Sequence, residues 1–264
     1  MAFGRFNQQI LHFRDDNTGA ARPIVFIHAL GTDLSIWDQV VARLERHLRG
    51  LRYDLRGHGL SDAPLGPYSI QDHIGDLAAL MEARRIRDAL VVGLSVGGLI
   101  AQGLAAQRPD LASALILCDT AHRIGTAEMW RARIDAIRKG GIAAIADAIL
   151  ERWFSKRFRD GAPAELAGYR NMLVRAPVEG YIGTCATLRD TDLTETTRRL
   201  KQPALCLVGA EDGATPPDLV RSMSALIKGA SFEIVPEAGH LPCIERPDFV
   251  AARINAFAKE SVSA

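Results

Sequence analysis

Residues 89–100 read ALVVGLSVGGLI, and with the AQGLAA that follows they form an uncharged run through residue 106. Three structures would accommodate such a run: a membrane span, a buried core element, or a strand that turns sharply on Ser95 into a helix. A span needs roughly 17–25 apolar residues in one continuous helix. Gly93, Gly97, Gly98 and Gly103 interrupt this one, and each interior glycine costs a helix about 1 kcal/mol relative to alanine. Gly93 and Gly97 share the G-x-x-x-G spacing of packed membrane helices, yet aromatic anchors are missing at both ends. Split in two, the run makes better sense. ALVVG is a short strand, and VGGLIAQGLAAQ is a helix packed on a sheet. No membrane association is expected.

Working outward, PIVFI (23–27), LVVGL (90–94), ALILC (114–118), ALCLVG (204–209) and SFEIV (231–235) are nearly continuous apolar runs. They predict strands buried on both faces. QQILHFRD adds a candidate antiparallel edge strand. Helical periodicity fills the gaps, as in SIWDQVVARLERHL (35–48), IQDHIGDLAALMEARR (70–85) and PDFVAARINAFAKE (247–260). Strand–helix alternation predicts an α/β fold, a mostly parallel central sheet with helices on both faces. The alternation stops between 121 and 194, where TAEMWRARIDAIRK, IAAIADAILERWF and AELAGYRNMLVRA follow one another without a strand. The expected organisation is a core of residues 1–120 and 195–264 carrying a helical cap insertion, 121–194.

Composition narrows the function. Among 264 residues, 32 Lys and Arg nearly cancel 31 Asp and Glu, and no basic stripe interleaved with aromatics offers a nucleic-acid footprint. The four cysteines, Cys118, Cys185, Cys206 and Cys243, form no C-x-x-C pair. Free buried thiols in a reducing compartment are expected rather than disulfides or zinc. With no positively charged N-terminal region leading into an apolar run, a cytoplasmic protein is the default expectation.

Gly93-Leu94-Ser95-Val96-Gly97 fits G-x-S-x-G between a strand and a helix. A turn completed within one residue strains the central backbone, and flanking glycines remove the Cβ atoms that would collide. The serine hydroxyl then stands at the carboxyl edge of the sheet, beside the positive end of a helix dipole. Serine needs a base, and the base needs an orienting acid, in the chain order Ser, acid, His. Asp212 follows the strand ALCLVG in AEDGATPP, and His240 follows SFEIV in PEAGHLP. Glu211 and Asp119 are rival acids. His12, His47, His73 and His122 are read as lying on strand, helix or insertion surfaces, and His28 and His58 as bracing loops. An oxyanion needs two N–H donors; the N–H of Val96 and that of Leu30, in HALGTD after the first parallel strand, are the candidates.

These features resemble the α/β-hydrolase superfamily, through HALG, GLSVGG, the Asp212 loop and AGH. Within it the chain is similar to the 3-oxoadipate enol-lactonases of aromatic catabolism, on HALGTDLSIWD (28–38), RYDLRGHGLSDAP (52–64), TAHRIGTAEMWRARI (120–134) and ERWFSKRF (151–158). HALGTD departs from the Asn-Ser or His-Ser associated with that family, but only backbone donors are at stake. The resemblance implies hydrolysis of a small lactone by Ser95, His240 and Asp212 through an acyl-enzyme, with no cofactor and no metal. It also implies a substrate carboxylate held by the cap. Trp130 and Trp153 are expected to wall the pocket, each with one N–H to donate, and Arg123 stands for the carboxylate contact, with Arg131, Arg133 and Arg189 as alternatives. Another esterase, lactonase or C–C hydrolase, or a hydrolase-fold ligand receptor, would share the same motifs.

Overall fold

The computed structural model describes residues 1–16, 18–19 and 22–261; Asn17, Ala20, Ala21 and the last three positions of the 195–264 core segment lie outside the described residues. Eight strands form one sheet: β1 (Ala2–Phe6), β2 (Gln9–Asp16), β3 (Arg22–Ile27), β4 (Leu48–Tyr53), β5 (Ala89–Leu94), β6 (Ala112–Cys118), β7 (Ala204–Gly209) and β8 (Ser231–Val235). Their order is β1-β2-β4-β3-β5-β6-β7-β8. β1–β2 and β2–β4 pair antiparallel, and every later pairing is parallel. Around the sheet run α1 (Asp38–Val41), α2 (Ile70–Ala83), α3 (Val96–Gln107), α10 (Pro217–Ser224), α11 (Pro242–Glu245) and α12 (Pro247–Glu260). Between β6 and β7 the chain forms α4 (Ala127–Gly140), α5 (Ala146–Trp153), α6 (Lys156–Gly161), α7 (Pro163–Val174), α8 (Val178–Asp190) and α9 (Thr194–Arg198), with no strand among the described residues. Among the described residues no helix is long and apolar enough to cross a membrane, and the four cysteines are free and buried.

The central strands obey their composition. Every residue of β5 and β7 is buried, as parallel strands covered on both faces must be. α3 opens directly behind β5, with ten of its residues buried. Its low polarity is that of a helix pressed against the sheet, not of a span.

Four expectations fail, each for a physical reason. The helix expected over 35–48 is a single 3-10 turn, Leu34–Trp37, followed by the one-turn α1. The chain then enters β4, a strand hidden by its arginines. Arg49 pairs with Asp15 (2.6 Å), and Arg52, 5 % exposed, pairs with Asp16 and Asp38. Paired this way the guanidiniums tolerate a central strand, although the sequence LRGLRY looks amphipathic. QILHFRDD, expected at the edge, lies inside it because β1 pairs on its outer side. β8 ends the sheet, so SFEIV is not buried on both faces, and Ile234 is 43 % exposed. His12 and His73 are not on the surface either. His12 is buried against Asp54 (2.7 Å), and His73 is fully buried under Tyr68.

Candidate active site

The bend between β5 and α3 places Ser95 at φ 58°, ψ −118°, a left-handed conformation that costs a side-chain-bearing residue about 1–3 kcal/mol. The surroundings impose it. Ser95 N–H donates to Cys118 O (3.0 Å), and the Thr120 hydroxyl donates to Ser95 O (2.6 Å). A Cβ on Gly93 would lie 2.3 Å from Gly97 O, and one on Gly97 would lie 2.5 Å from Ile27 O. Both obstacles are backbone, so no rotamer change relieves them. Gly97→Ala is therefore expected to destabilise by about 1–3 kcal/mol. Thermal melts should show Tm falling by about 2–4 °C per kcal/mol, with kcat lowered as the bend separates from the β3 end. An unchanged melt would refute the close approach.

Asp212 and His240 come from the loops after β7 and β8. His240 Nδ1–H donates to Asp212 Oδ2 (2.9 Å). The other Asp212 oxygen accepts the N–H groups of Ala214 (2.7 Å) and Thr215 (3.0 Å), and the Thr215 hydroxyl donates to Oδ2 (2.7 Å). Burial opposes ionisation of Asp212, but the His240 ring and the bonds from His240 and Thr215 outweigh it, holding the carboxyl at about 2. Nδ1 is thereby committed as the donor, leaving Nε2 as the position able to accept a proton. Of the rival acids, Glu211 is exposed and accepts Lys156 N–H (3.1 Å), while Asp119 has an oxygen within 4.8 Å of both Asp212 and the His240 ring but no hydrogen bond to either. Thr215, which clamps the Asp–His pair, was invisible to sequence reasoning beyond its place three residues after Asp212.

One cavity collects Ser95, His240, Thr215 and Leu30 from the core with Trp130 and Trp153 from the 121–194 segment. Its empty volume is about 580 Å³ with the open mouth included. Among the described residues, no hydrogen bond occupies the N–H of Leu30 or of Val96, the first residue of α3. His28 shapes the Leu30 loop: its Nε2 accepts Leu55 N–H (2.9 Å) and its Nδ1 bonds Ala29 O (2.8 Å). The end of α5 is bracketed by the loops that carry Asp212 and His240, since Trp153 O accepts His240 N–H (2.8 Å) and Arg152 O accepts Gly213 N–H (3.3 Å). Trp130 has no N–H to spare, having given it to Ile124 O (2.6 Å).

Arg123 does not reach the cavity. It faces solvent and pairs with Asp192 (3.6 Å), because its neighbour Ile124 takes the inward direction. Arg131 and Arg189 pair with Glu128 and Asp190. The guanidiniums lining the cavity are those of Arg133, stacked 4.8 Å over the Trp130 ring, and Arg152. Neither has a carboxylate partner among the described residues. Burial, followed by the like charge of Arg133, lowers the Arg152 pKa below its usual value. Arg133, one of the alternatives, lies three residues after Trp130 on the same helix face; no signal in the sequence marked Arg152.

A sequence profile of the alpha/beta hydrolase family matches residues 24–253. The chain is 32 % identical to 3-oxoadipate enol-lactonase 2 of Acinetobacter baylyi over 251 residues, covering 90 % of this chain and 94 % of that one. The crystal structure of the enol-lactonase from Burkholderia xenovorans LB400 superposes with a TM-score of 0.94 at 39 % identity, covering 98 % of this chain and all of that one. A malate-bound thermophilic esterase from Thermogutta terrifontis superposes with a TM-score of 0.93 at 27 % identity, covering 99 % of both chains.

Proposed function

Because the chain belongs to the alpha/beta hydrolase family, we propose that this hydrolase opens a small lactone bearing a carboxylate, 3-oxoadipate enol-lactone, in the catabolism of aromatic compounds. The observation carrying this reading is the pair of guanidiniums without carboxylate partners, Arg133 and Arg152, in the cavity that also holds Ser95 and His240. Apolar walls with two half-buried cations favour a compact anionic substrate over a neutral ester. The enol-lactonases similar to this chain support the same reading.

In this mechanism the 121–194 helices act as the cap that holds the substrate. Ser95 Oγ attacks the lactone carbonyl as His240 Nε2 takes its proton, and Asp212 stabilises the imidazolium. The N–H groups of Leu30 and Val96 receive the oxyanion. Collapse breaks the ring C–O bond, and His240 returns the proton to the enol oxygen. That enol stays tethered to the acyl group and tautomerises to the ketone. Water, deprotonated by His240, then cleaves the Ser95 ester and releases 3-oxoadipate. Every proton moves between serine, imidazole, water and substrate, so this sequence of steps calls on no cofactor.

Turnover of the enol-lactone, followed by loss of its chromophore, should exceed that of a neutral activated ester. Arg152→Met removes one charge-assisted contact worth about 1.5–3 kcal/mol. KM for the lactone should therefore rise roughly 10–100-fold, while KM for the neutral ester changes little. Preference for the neutral ester, or an equal rise for both substrates, would overturn the assignment.

A further inference from the structure

The end of β6 holds both halves of the candidate machinery, and one of its side chains has no role in the mechanism above. Cys118 and Thr120 secure the Ser95 backbone. Between them, Asp119 adopts φ 46° and is fully buried. Its Oδ1 accepts Gly209 N–H (2.8 Å), bracing the strand that leads to Asp212, whereas Oδ2 has no hydrogen-bond partner. One oxygen of Asp119, one of Asp212 and one ring nitrogen of His240 all lie within 4.8 Å of one another. The groups facing Asp119 are Asp212 after β7, His240 after β8, Glu245 and Cys243 on α11, and Cys118 on its own strand.

Two carboxylates this close and this dry do not both ionise. Asp212 receives donors on both oxygens, including the imidazole, so it holds the negative charge. Asp119 receives one backbone N–H, and burial followed by the charge of Asp212 pushes its carboxyl well above the usual range. Oδ2, the oxygen left without a partner, is then the one free to carry the proton, and the two acids share one negative charge as a unit.

We propose that Asp119 is a reserve acid of the relay, neutral while Asp212 carries the charge and able to orient His240 as a carboxylate once Asp212 is removed. The proposal rests on Ser95, His240 and Asp212 acting as the triad. It makes Asp119 a positioning residue, acting through His240 and never touching substrate.

The test compares kcat/KM against pH for D212A, D119N and D212A/D119N. Asparagine keeps the acceptor for Gly209 N–H. A triad deprived of its acid loses about 10⁴ in kcat. D212A should lose only about 10²–10³ and recover as rising pH ionises Asp119; adding D119N should remove that recovery and cost at least about tenfold more. In D119N alone the acid limb should stay in place, because the group removed is uncharged. A double variant no slower than D212A overturns the proposal, as does an acid limb in D119N displaced to lower pH. The difference infrared spectrum of wild type against D119N gives a readout independent of turnover. It should contain the carbonyl band of a protonated buried carboxyl, and its absence overturns the proposal at once. Should S95A remain active, the triad reading fails instead, and the infrared result still judges Asp119.

Discussion

Replacing Ser95 by alanine is expected to lower kcat by about 10⁴–10⁶ and to leave the fold and the affinity for carboxylate ligands in place. The bend that carries Ser95 is dictated by backbone, through the Cys118 carbonyl, the Thr120 hydroxyl and the close approach of Gly97 to Ile27. Alanine suffers the same left-handed strain as serine, so the variant should melt near the wild type. The cavity cations Arg133 and Arg152 are untouched, and binding of a dicarboxylate product should persist in calorimetry. What disappears is the oxygen that the proposed mechanism uses to form the acyl-enzyme. Residual catalysis of 10³–10⁴ over water can persist, because oxyanion donors and binding survive loss of the nucleophile. Turnover within tenfold of wild type would show that chemistry does not pass through Ser95, and the proposed mechanism would fall with it.

The sharp turn at Ser95 and the Asp212–His240 pair were legible in sequence because each is a local necessity. G-x-S-x-G reports a backbone collision, and Asp212 and His240 each follow a strand whose apolar run is unmistakable. What depends on packing was not legible. β4 carries Arg49 and Arg52 into the sheet because Asp15, Asp16 and Asp38 arrive from other elements. No local pattern records that. The carboxylate contact was misplaced for the same reason. Arg123 and Arg133 have equal claims by spacing, but α4 packs against α8 so that Arg133 and Trp130 face the cavity while Arg123 meets Asp192. Asp119 is intermediate: its strand-end position made it a candidate acid, and only the three-dimensional convergence on Asp212 shows it standing behind the pair.

Mild acid should unfold this protein, and three histidines outside the Asp212–His240 pair account for it. His28, His58 and His73 are fully buried, and the His28 and His58 rings lie 5.3 Å apart. Burial lowers all three: His28 to about 4, partly offset by its bond to Ala29 O; His58 to about 3, with His28 adding repulsion; His73 to about 3, with Arg56 adding repulsion. The unfolded chain protonates these rings near pH 6.5, whereas the folded chain cannot until the pH reaches those lower values. Above about 6.5 both states are neutral and nothing is lost. Below it, stability falls by about 1.4 kcal/mol per pH unit for each ring. At pH 5 that is about 2 kcal/mol each and about 6 together, against a total stability of about 5–15 kcal/mol. Asp212 acts later: its carboxyl is depressed to about 2, so its contribution holds above the unfolded 3.8 and is lost as pH falls toward 2. Urea unfolding at pH 7, 6 and 5 should therefore show stability dropping by about 4 kcal/mol per pH unit in the lower half of that range. His73 has no hydrogen-bond partner on either ring nitrogen, so His73→Leu deletes one proton-binding site without orphaning a neighbour. In that variant the slope should fall by about a third, with the acid midpoint displaced to lower pH. An unchanged slope would mean that His73 is protonated in the folded protein, and that the burial argument for all three rings is wrong.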